Sequence, residues 1–317
     1  MMVVLMKVLC ILGPLFVSIA YLTLAERKVL GYIQGRKGPN VIGRYGGLQP
    51  LVDGFKLLTK EMILPNHANR YIYFFSPLLS LTLGLMAWGA IPYGEGVVLS
   101  DIGLGILYLL AVSSISVYAV LMSGWSSNSK YAFLGGIRGA AQMISYEVSI
   151  GLIIISVVLF AGDFNLMEVA ISQDKMWYLL PLFPATIMFF VSALAETNRV
   201  PFDLTEGESE LVSGFNVEYS SMAFALLFLA EYCHIILMSA LGVILFLGGG
   251  VKVPFHVLVG SGGFGMKMSF LLLLFIFIRG TYPRIRYDQL MYLLWKSYLP
   301  LSLGLLVFVS GGLIGFK

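Results

Sequence analysis

The chain has 317 residues, 58% of them hydrophobic and only 12% charged, with a mean hydropathy of +0.89. That balance excludes a soluble globular domain and marks an all-α integral membrane protein. A formal net charge of +3, with no polybasic arm or tail, gives no reason to expect nucleic acid as a partner.

About eight apolar runs approach the roughly 20 residues that cross about 30 Å of hydrocarbon. They fall near residues 3 to 25, 71 to 92, 102 to 123, 139 to 161, 177 to 197, 220 to 245, 266 to 280 and 291 to 313. The first run passes into Glu26-Arg27-Lys28 with no small-residue cleavage site, so it reads as a retained helix and not a signal peptide. No Lys or Arg falls in the middle of a span so defined. The chain is one polytopic membrane domain over 1–317, with two distinctive inner loops at 26–70 and 196–219.

Lysine and arginine set the orientation. Fifteen of the 20 lie in or beside the connections after the first, third, fifth and seventh spans, including Arg27, Arg36, Arg138, Arg199, Arg279 and Arg284. Only Lys7, Lys175, Lys252, Lys267 and Lys317 fall on the other side. The positive-inside rule places the crowded side in the cytoplasm or the mitochondrial matrix, with both termini facing outward.

The first inner loop is not a plain linker. Leu48, Leu51, Val52, Phe55, Leu58 and Met62 recur at helical spacing opposite Gln49, Asp53, Lys56 and Lys60, and Pro50 suits a first turn. The pattern predicts an amphipathic helix lying in the membrane interface, either as a surface anchor or as part of a site. Before it, Gln34-Gly35-Arg36-Lys37-Gly38-Pro39-Asn40 forms a cationic Gly/Pro turn. Positive-inside retention accounts for each cation singly. A polar headgroup or a docked subunit accounts for the cluster.

Between Ala195 and Tyr219, six acids face one base, Arg199, and apolar Phe202, Leu204, Leu211, Val212 and Phe215 interrupt the charge. A purely solvated loop would not need those apolar residues. Glu206 and Glu210 would repel across one helical turn, and protonation would relieve the cost. The loop therefore reads as a partly buried, protonatable cluster.

Two acids, Glu147 and Glu231, sit inside apolar runs, where a carboxylate costs about 2.5 to 3.5 kcal/mol on insertion scales. Glu147 lies about 12 Å along its run from Gly139 and Glu231 about 16 Å beyond Ser220, while Glu196 stands at the inner mouth of the fifth span. Any one of them is explained equally well by pairing with an Arg or Tyr, or by burial as the neutral acid. Three at increasing depth beside an acidic loop point to proton handling. Phe228, Glu231 and His234 follow at three-residue steps and share a helix face.

Cys10 and Cys233 are far apart, and His67, His234 and His256 are scattered, so no metal site is expected. No glycine-rich phosphate loop follows a strand pattern, which argues against a nucleotide site.

The segments Ala25 to Tyr32, Arg36 to Asn40, Gly47 to Pro50, Lys56 to Glu61 and the whole of Ala195 to Tyr219 closely resemble the chain 1 membrane subunits of NADH–ubiquinone oxidoreductase, respiratory complex I. Gly124 to Tyr131, Ile144 to Val148 and Pro283 to Leu290 fit the same family, and the resemblance runs nearly end to end. It implies eight spanning helices and a ubiquinone tunnel built from the first and third inner loops together with hydrophilic-arm subunits. On the family pattern, Arg27, Arg36, Asp53, Arg199, Asp203, Phe228 and Arg279 line or support the quinone path. Glu147, Glu196, Glu206, Glu210 and Glu231 belong to an acidic proton relay.

The resemblance further implies that this chain binds no cofactor itself. Ubiquinone is its substrate, and FMN and iron–sulfur clusters are carried by partner subunits, the terminal cluster by an arm subunit at the quinone site. Lipids and other small membrane-arm subunits are the remaining expected partners. The expected location is the mitochondrial inner membrane, with the bacterial plasma membrane as the alternative. Two rival functions are a homologous membrane anchor of a hydrogenase-type complex and a stand-alone cation/proton antiporter.

Overall fold

The structure is a computed structural model that describes residues 2–94, 96–205, 207, 212–250 and 260–315, with side chains from residue 5. Glu206 and Glu210, two members of the expected relay, lie outside the described residues, as does His256.

Among the described residues all regular structure is helical, apart from one isolated bridge between Gly94 and Val97. The helices are α1 (Met2–Ile33), α2 (Gln49–Thr59), α3 (Arg70–Ala87), α4 (Gly105–Ser126), α5 (Lys130–Ala161), α6 (Leu166–Ile171), α7 (Phe183–Glu196), α8 (Ser221–Phe246), α9 (Gly260–Thr281), α10 (Tyr287–Leu293) and α11 (Leu299–Gly315). Among the described residues seven segments are long and apolar enough to cross a membrane, α10 and α11 joining into one of them. The remaining expected span is α7, which is shorter at 14 residues. Pro184 stands in its first turn, where its missing N–H costs nothing, and Pro181 just before it keeps the preceding residues out of the helix.

Three of the boundaries that differ from the sequence expectation bring charged residues into helices. Helix α1 does not stop at 25 but continues to Ile33, because nothing breaks it before Gly35, whose φ is +68°. Glu26 is therefore a helix residue. Helix α5 begins at Lys130, nine residues before the apolar run, so Arg138 is helical and Glu147 lies about 26 Å along its helix from Lys130. Helix α9 begins at Gly260, which sets Lys267 inside it, buried, against the expectation that no cation enters a span. Its Nζ donates to the carbonyls of Leu247 (2.8 Å) and Gly249 (2.9 Å), acceptors left over at the end of α8. Hydropathy follows side chains, whereas helix ends follow backbone hydrogen bonds, and the two need not coincide.

Packing inverts the soluble pattern. Large apolar side chains face outward, among them Leu9, Val17 and Tyr21 on α1 and Val307 and Phe308 on α11, while Ser76, Ser123, Ser149, Ser156, Ser192 and Ser239 are buried. Buried hydroxyls such as Ser149 and Ser156 donate to carbonyls three residues back, so they satisfy themselves within their own helix. Small residues let helices approach closely. Helix α4 packs along both α3 and α5, and α3 also packs along α8. At the α4–α5 contact a side chain on Gly124 would meet the Ala132 carbonyl at 2.6 Å and the Gly136 Cα at 3.2 Å. Between α10 and α11, residues Leu294–Tyr298 form a π turn. Pro300 follows it, and the wider turn makes room for a ring that would clash with the carbonyl four residues back.

Helix α2 forms as the periodicity predicts, with Leu51, Val52, Phe55 and Leu58 exposed along it. It is tied to the bundle at its end, where the Ser221 hydroxyl donates to the carbonyls of Leu57 (3.1 Å) and Lys60 (2.7 Å).

Candidate functional site

Two arrangements meet at Glu231. The first is a knot of charge at the meeting of α1, α8, α9 and the loop after α7. The Arg199 guanidinium places Nε 2.9 Å from Glu231 Oε1 and Nη1 3.2 Å from Glu26 Oε1. Arg279 Nη1 reaches the same Glu26 oxygen, and the Tyr232 hydroxyl donates to Glu26 Oε2 at 2.5 Å. The Arg199 guanidinium also lies over the Tyr232 ring, 4.6 Å from its centroid. Two carboxylates and two guanidiniums make the knot neutral as a whole, which is what lets it persist away from water. Burial pulls the Arg199 guanidinium towards the neutral form, but the Glu231 and Glu26 carboxylates push harder the other way, so its pKa is raised above the ordinary arginine value.

The loop carrying Arg199 is fixed from several sides. Gln142 on α5, fully buried, donates its amide to the carbonyls of Ala195 (2.9 Å) and Phe202 (2.8 Å). Asp203 pairs with Arg284 Nη2 at 2.9 Å, and the Ile285 N–H donates to the Pro201 carbonyl at 3.0 Å. At the far end of the loop, Tyr219 stacks on Tyr73 with ring centroids 4.2 Å apart. Its hydroxyl lies 3.0 Å from Ser76 and 3.1 Å from Ser126, and burial raises its pKa.

The second arrangement is a pair of cavities. One, of about 90 Å³, is lined by Glu231, His234, Glu196, Asn198, Ser113 and Ser116 among others. The other, about 40 Å³, is lined by Glu196, Ser113 and Glu147 with apolar residues of α4, α5 and α8. Glu196 and Ser113 border both. Glu147 accepts a hydrogen bond from Ser113 Oγ at 3.0 Å and another from Ser114 Oγ. Glu196 Oε2 is buried with no hydrogen-bond partner. Neither Glu147 nor Glu196 forms an ion pair among the described residues, so of the three described relay acids only Glu231 faces a fixed cation.

The residues expected on the quinone path fall into separate groups. Arg199 and Arg279 meet in the knot. Arg27 Nη1 lies 2.7 Å from Asp53 Oδ2, whose other oxygen accepts from Gln49 Nε2 at 2.9 Å, so this pair joins the end of α1 to α2. Phe228 packs its ring against Phe224, 4.4 Å between centroids. Arg36 is exposed, its Nε donating to Gln34 Oε1 at 2.9 Å. Sequence reasoning missed Glu26 and Tyr232 in the knot, Arg284 opposite Asp203, and Ser113 and Ser114 on Glu147. One signal was available: Leu15, Ile19, Leu22 and Glu26 follow at helical steps, so continuing α1 past 25 puts Glu26 on its inward stripe.

A sequence profile of the family described as NADH dehydrogenase matches residues 6–310. The chain belongs to that family. NADH-ubiquinone oxidoreductase chain 1 of Metridium senile is 65% identical over 315 residues, which are 99% of this chain and 94% of the relative. A bacterial relative, an NADH-quinone oxidoreductase subunit from Rhodospirillum centenum, is 53% identical over 318 residues, 99% of this chain and 95% of the relative. The chain 1 of Arabidopsis thaliana is 53% identical over 315 residues, 98% and 97% of the two chains. These are the proteins that the loop motifs resemble. As a member of the NADH dehydrogenase family the chain is a subunit of an oxidoreductase, which sets aside the stand-alone antiporter.

Proposed function

We propose that this chain is the membrane subunit that frames the quinone path of a proton-translocating NADH:ubiquinone oxidoreductase and couples quinone reduction to proton movement through its buried carboxylates. Family membership supports the enzyme. The observation that carries the coupling is the position of Glu231: it is paired with Arg199 on one side and lines the cavity shared with Glu196 on the other.

Reducing a quinone to a quinol takes up two electrons and two protons. In this reading the headgroup is steered past Arg27, Arg36, Asp53 and Phe228 towards Arg199, Asp203 and Arg279. A change of charge near Arg199 alters its hold on Glu231, and in this reading that favours or disfavours a proton there through close-range electrostatics. Glu196 and then Glu147 carry the proton onward, with Glu206 and Glu210 completing the acidic route. Flavin and iron–sulfur clusters belong to partner subunits, and the arm subunit with the terminal cluster closes the quinone site. The mitochondrial inner membrane is the proposed location, with both termini on the intermembrane-space side.

The test is Glu231→Gln in the assembled complex. Electron transfer from NADH to an artificial acceptor stays unchanged, while quinone-linked proton translocation falls sharply. Full pumping at unchanged turnover, with normal complex abundance, removes Glu231 from the relay. A nickel–iron centre in the native assembly, without NADH:quinone activity, would favour the hydrogenase-type anchor.

A further inference from the structure

The larger cavity holds a third titratable side chain besides Glu196 and Glu231. His234 lies one helical step after Glu231 on α8, about 4.5 Å further along the axis and on the same face. It makes no hydrogen bond or ion pair among the described residues. Gly84 of α3 faces the ring, and a side-chain carbon there would lie at ordinary contact distance, 3.6 Å, from His234 Nε2. The remaining polar wall is Ser80 from α3, Ser113 and Ser116 from α4, and Thr197, Asn198 and Thr205 from the loop after α7. Met143 is the lining residue from α5, and Arg199 stands behind Glu231.

Three oxygens around this space, Glu196 Oε2, Asn198 Oδ1 and Thr205 Oγ1, are buried without a protein partner. Buried polar atoms of this kind are usually satisfied by water, and a cavity with these polar groups set in a largely apolar wall, and with room for several molecules, suits it.

We propose that His234 carries protons across this cavity between Glu231 and Glu196, so that α8 supplies two consecutive proton-carrying groups. An imidazole suits the task because it accepts a proton at one ring nitrogen and releases one from the other, returning to the neutral form without net charge left behind. No bond other than N–H and O–H forms or breaks, and no electrons move. The assignment rests on the coupling role proposed above for Glu231 and extends it by one residue.

The experiment uses the complete complex carrying His234→Asn or His234→Gln, reconstituted in phospholipid vesicles. Both variants keep a polar side chain of similar reach that does not titrate. The expected result is a fall of about tenfold in quinone-linked turnover and in proton uptake or release with it, together with an altered pH profile, while NADH oxidation by an artificial acceptor is unchanged. Wild-type turnover, proton-to-electron ratio and pH profile in an assembled variant overturn the proposal. Glu231→Gln measured in parallel separates the two levels. If it blocks pumping while both His234 variants pump normally, only His234 leaves the pathway; if it too pumps normally, the reading of the whole site fails. Should neither variant assemble, His234→Met replaces the ring with an apolar side chain of similar volume that carries no proton. Impaired pumping in that otherwise native complex supports the role, and unimpaired pumping overturns it.

Discussion

Arg199 is bound to Glu231 across 2.9 Å, and the same guanidinium reaches Glu26 at 3.2 Å, so one side chain bridges two carboxylates on two different helices. Removing it leaves both acids buried beside Arg279 alone. Losing one partner of a buried pair typically costs about 3 to 5 kcal/mol. Arg199→Met is therefore expected to lower the amount of assembled complex severely. Arg199→Lys, which keeps the charge but loses the planar fork, is expected to assemble and run slowly. Native-gel abundance alongside quinone-linked activity distinguishes the two, and normal assembly of Arg199→Met would contradict the arrangement.

Glu147 is held by serine hydroxyls and, among the described residues, by no cation. A glutamine there keeps a carbonyl to accept from Ser113, so Glu147→Gln should preserve assembly while losing the exchangeable proton. The expected outcome is intact electron transfer to an artificial acceptor with reduced proton translocation. Equal loss of both activities would point to a structural defect instead.

Gln142→Leu tests the seat of the Arg199 loop. It is close in volume but strips one hydrogen bond from each of the carbonyls of Ala195 and Phe202, which keep only their backbone donors Asn198 and Leu204, at a cost of about 0.5 to 1.5 kcal/mol each. The variant complex is expected to lose quinone activity at a lower temperature than the native one. Thermal inactivation in detergent measures it, and an unchanged midpoint would show that the loop is held by other means.

Asp53→Asn bears on the quinone path at lower structural risk. The Arg27–Asp53 pair is partly exposed, so its contribution to stability is expected to lie below about 1 kcal/mol. Abundance should stay normal while the apparent KM for short-chain quinones rises. An unaltered response to quinones and to site inhibitors would take Asp53 off the path.

Gly124→Leu addresses the bundle itself. Even a first side-chain carbon would meet the Ala132 carbonyl at 2.6 Å, so α4 and α5 must separate. Overpacking of this kind costs about 1 to 3 kcal/mol or more. Reduced accumulation of the assembled complex is expected, read by native gel.

Much of the architecture was legible because a bilayer imposes simple rules. Apolar runs located the spans, and the spacing of Leu51, Val52, Phe55 and Leu58 identified α2. Glu147 and Glu231 stood out because charge in an apolar run is conspicuous. Glu26 did not, since it opens a charged triplet that reads as a helix end, although the backbone ladder runs on to Ile33. Ser113 and Ser114 were hidden for the opposite reason: serines are common in these spans, and only the fold reveals which two face a carboxylate. Lys267 escaped notice because its partners are carbonyls, which every residue has.

The bond between Glu26 and Arg279 joins residues separated by 253 positions. At roughly 5 to 20 residues per second of translation, the acid precedes its arginine by roughly 13 to 50 seconds. Throughout that interval the newly made α1 carries an acid that lacks this counter-charge, and Arg199 also emerges only after most of the chain has been made. The order of synthesis thus sets a problem for biogenesis: α1 must be held by the insertion machinery, or wait near the lipid headgroups, until its late-arriving partners allow it to settle.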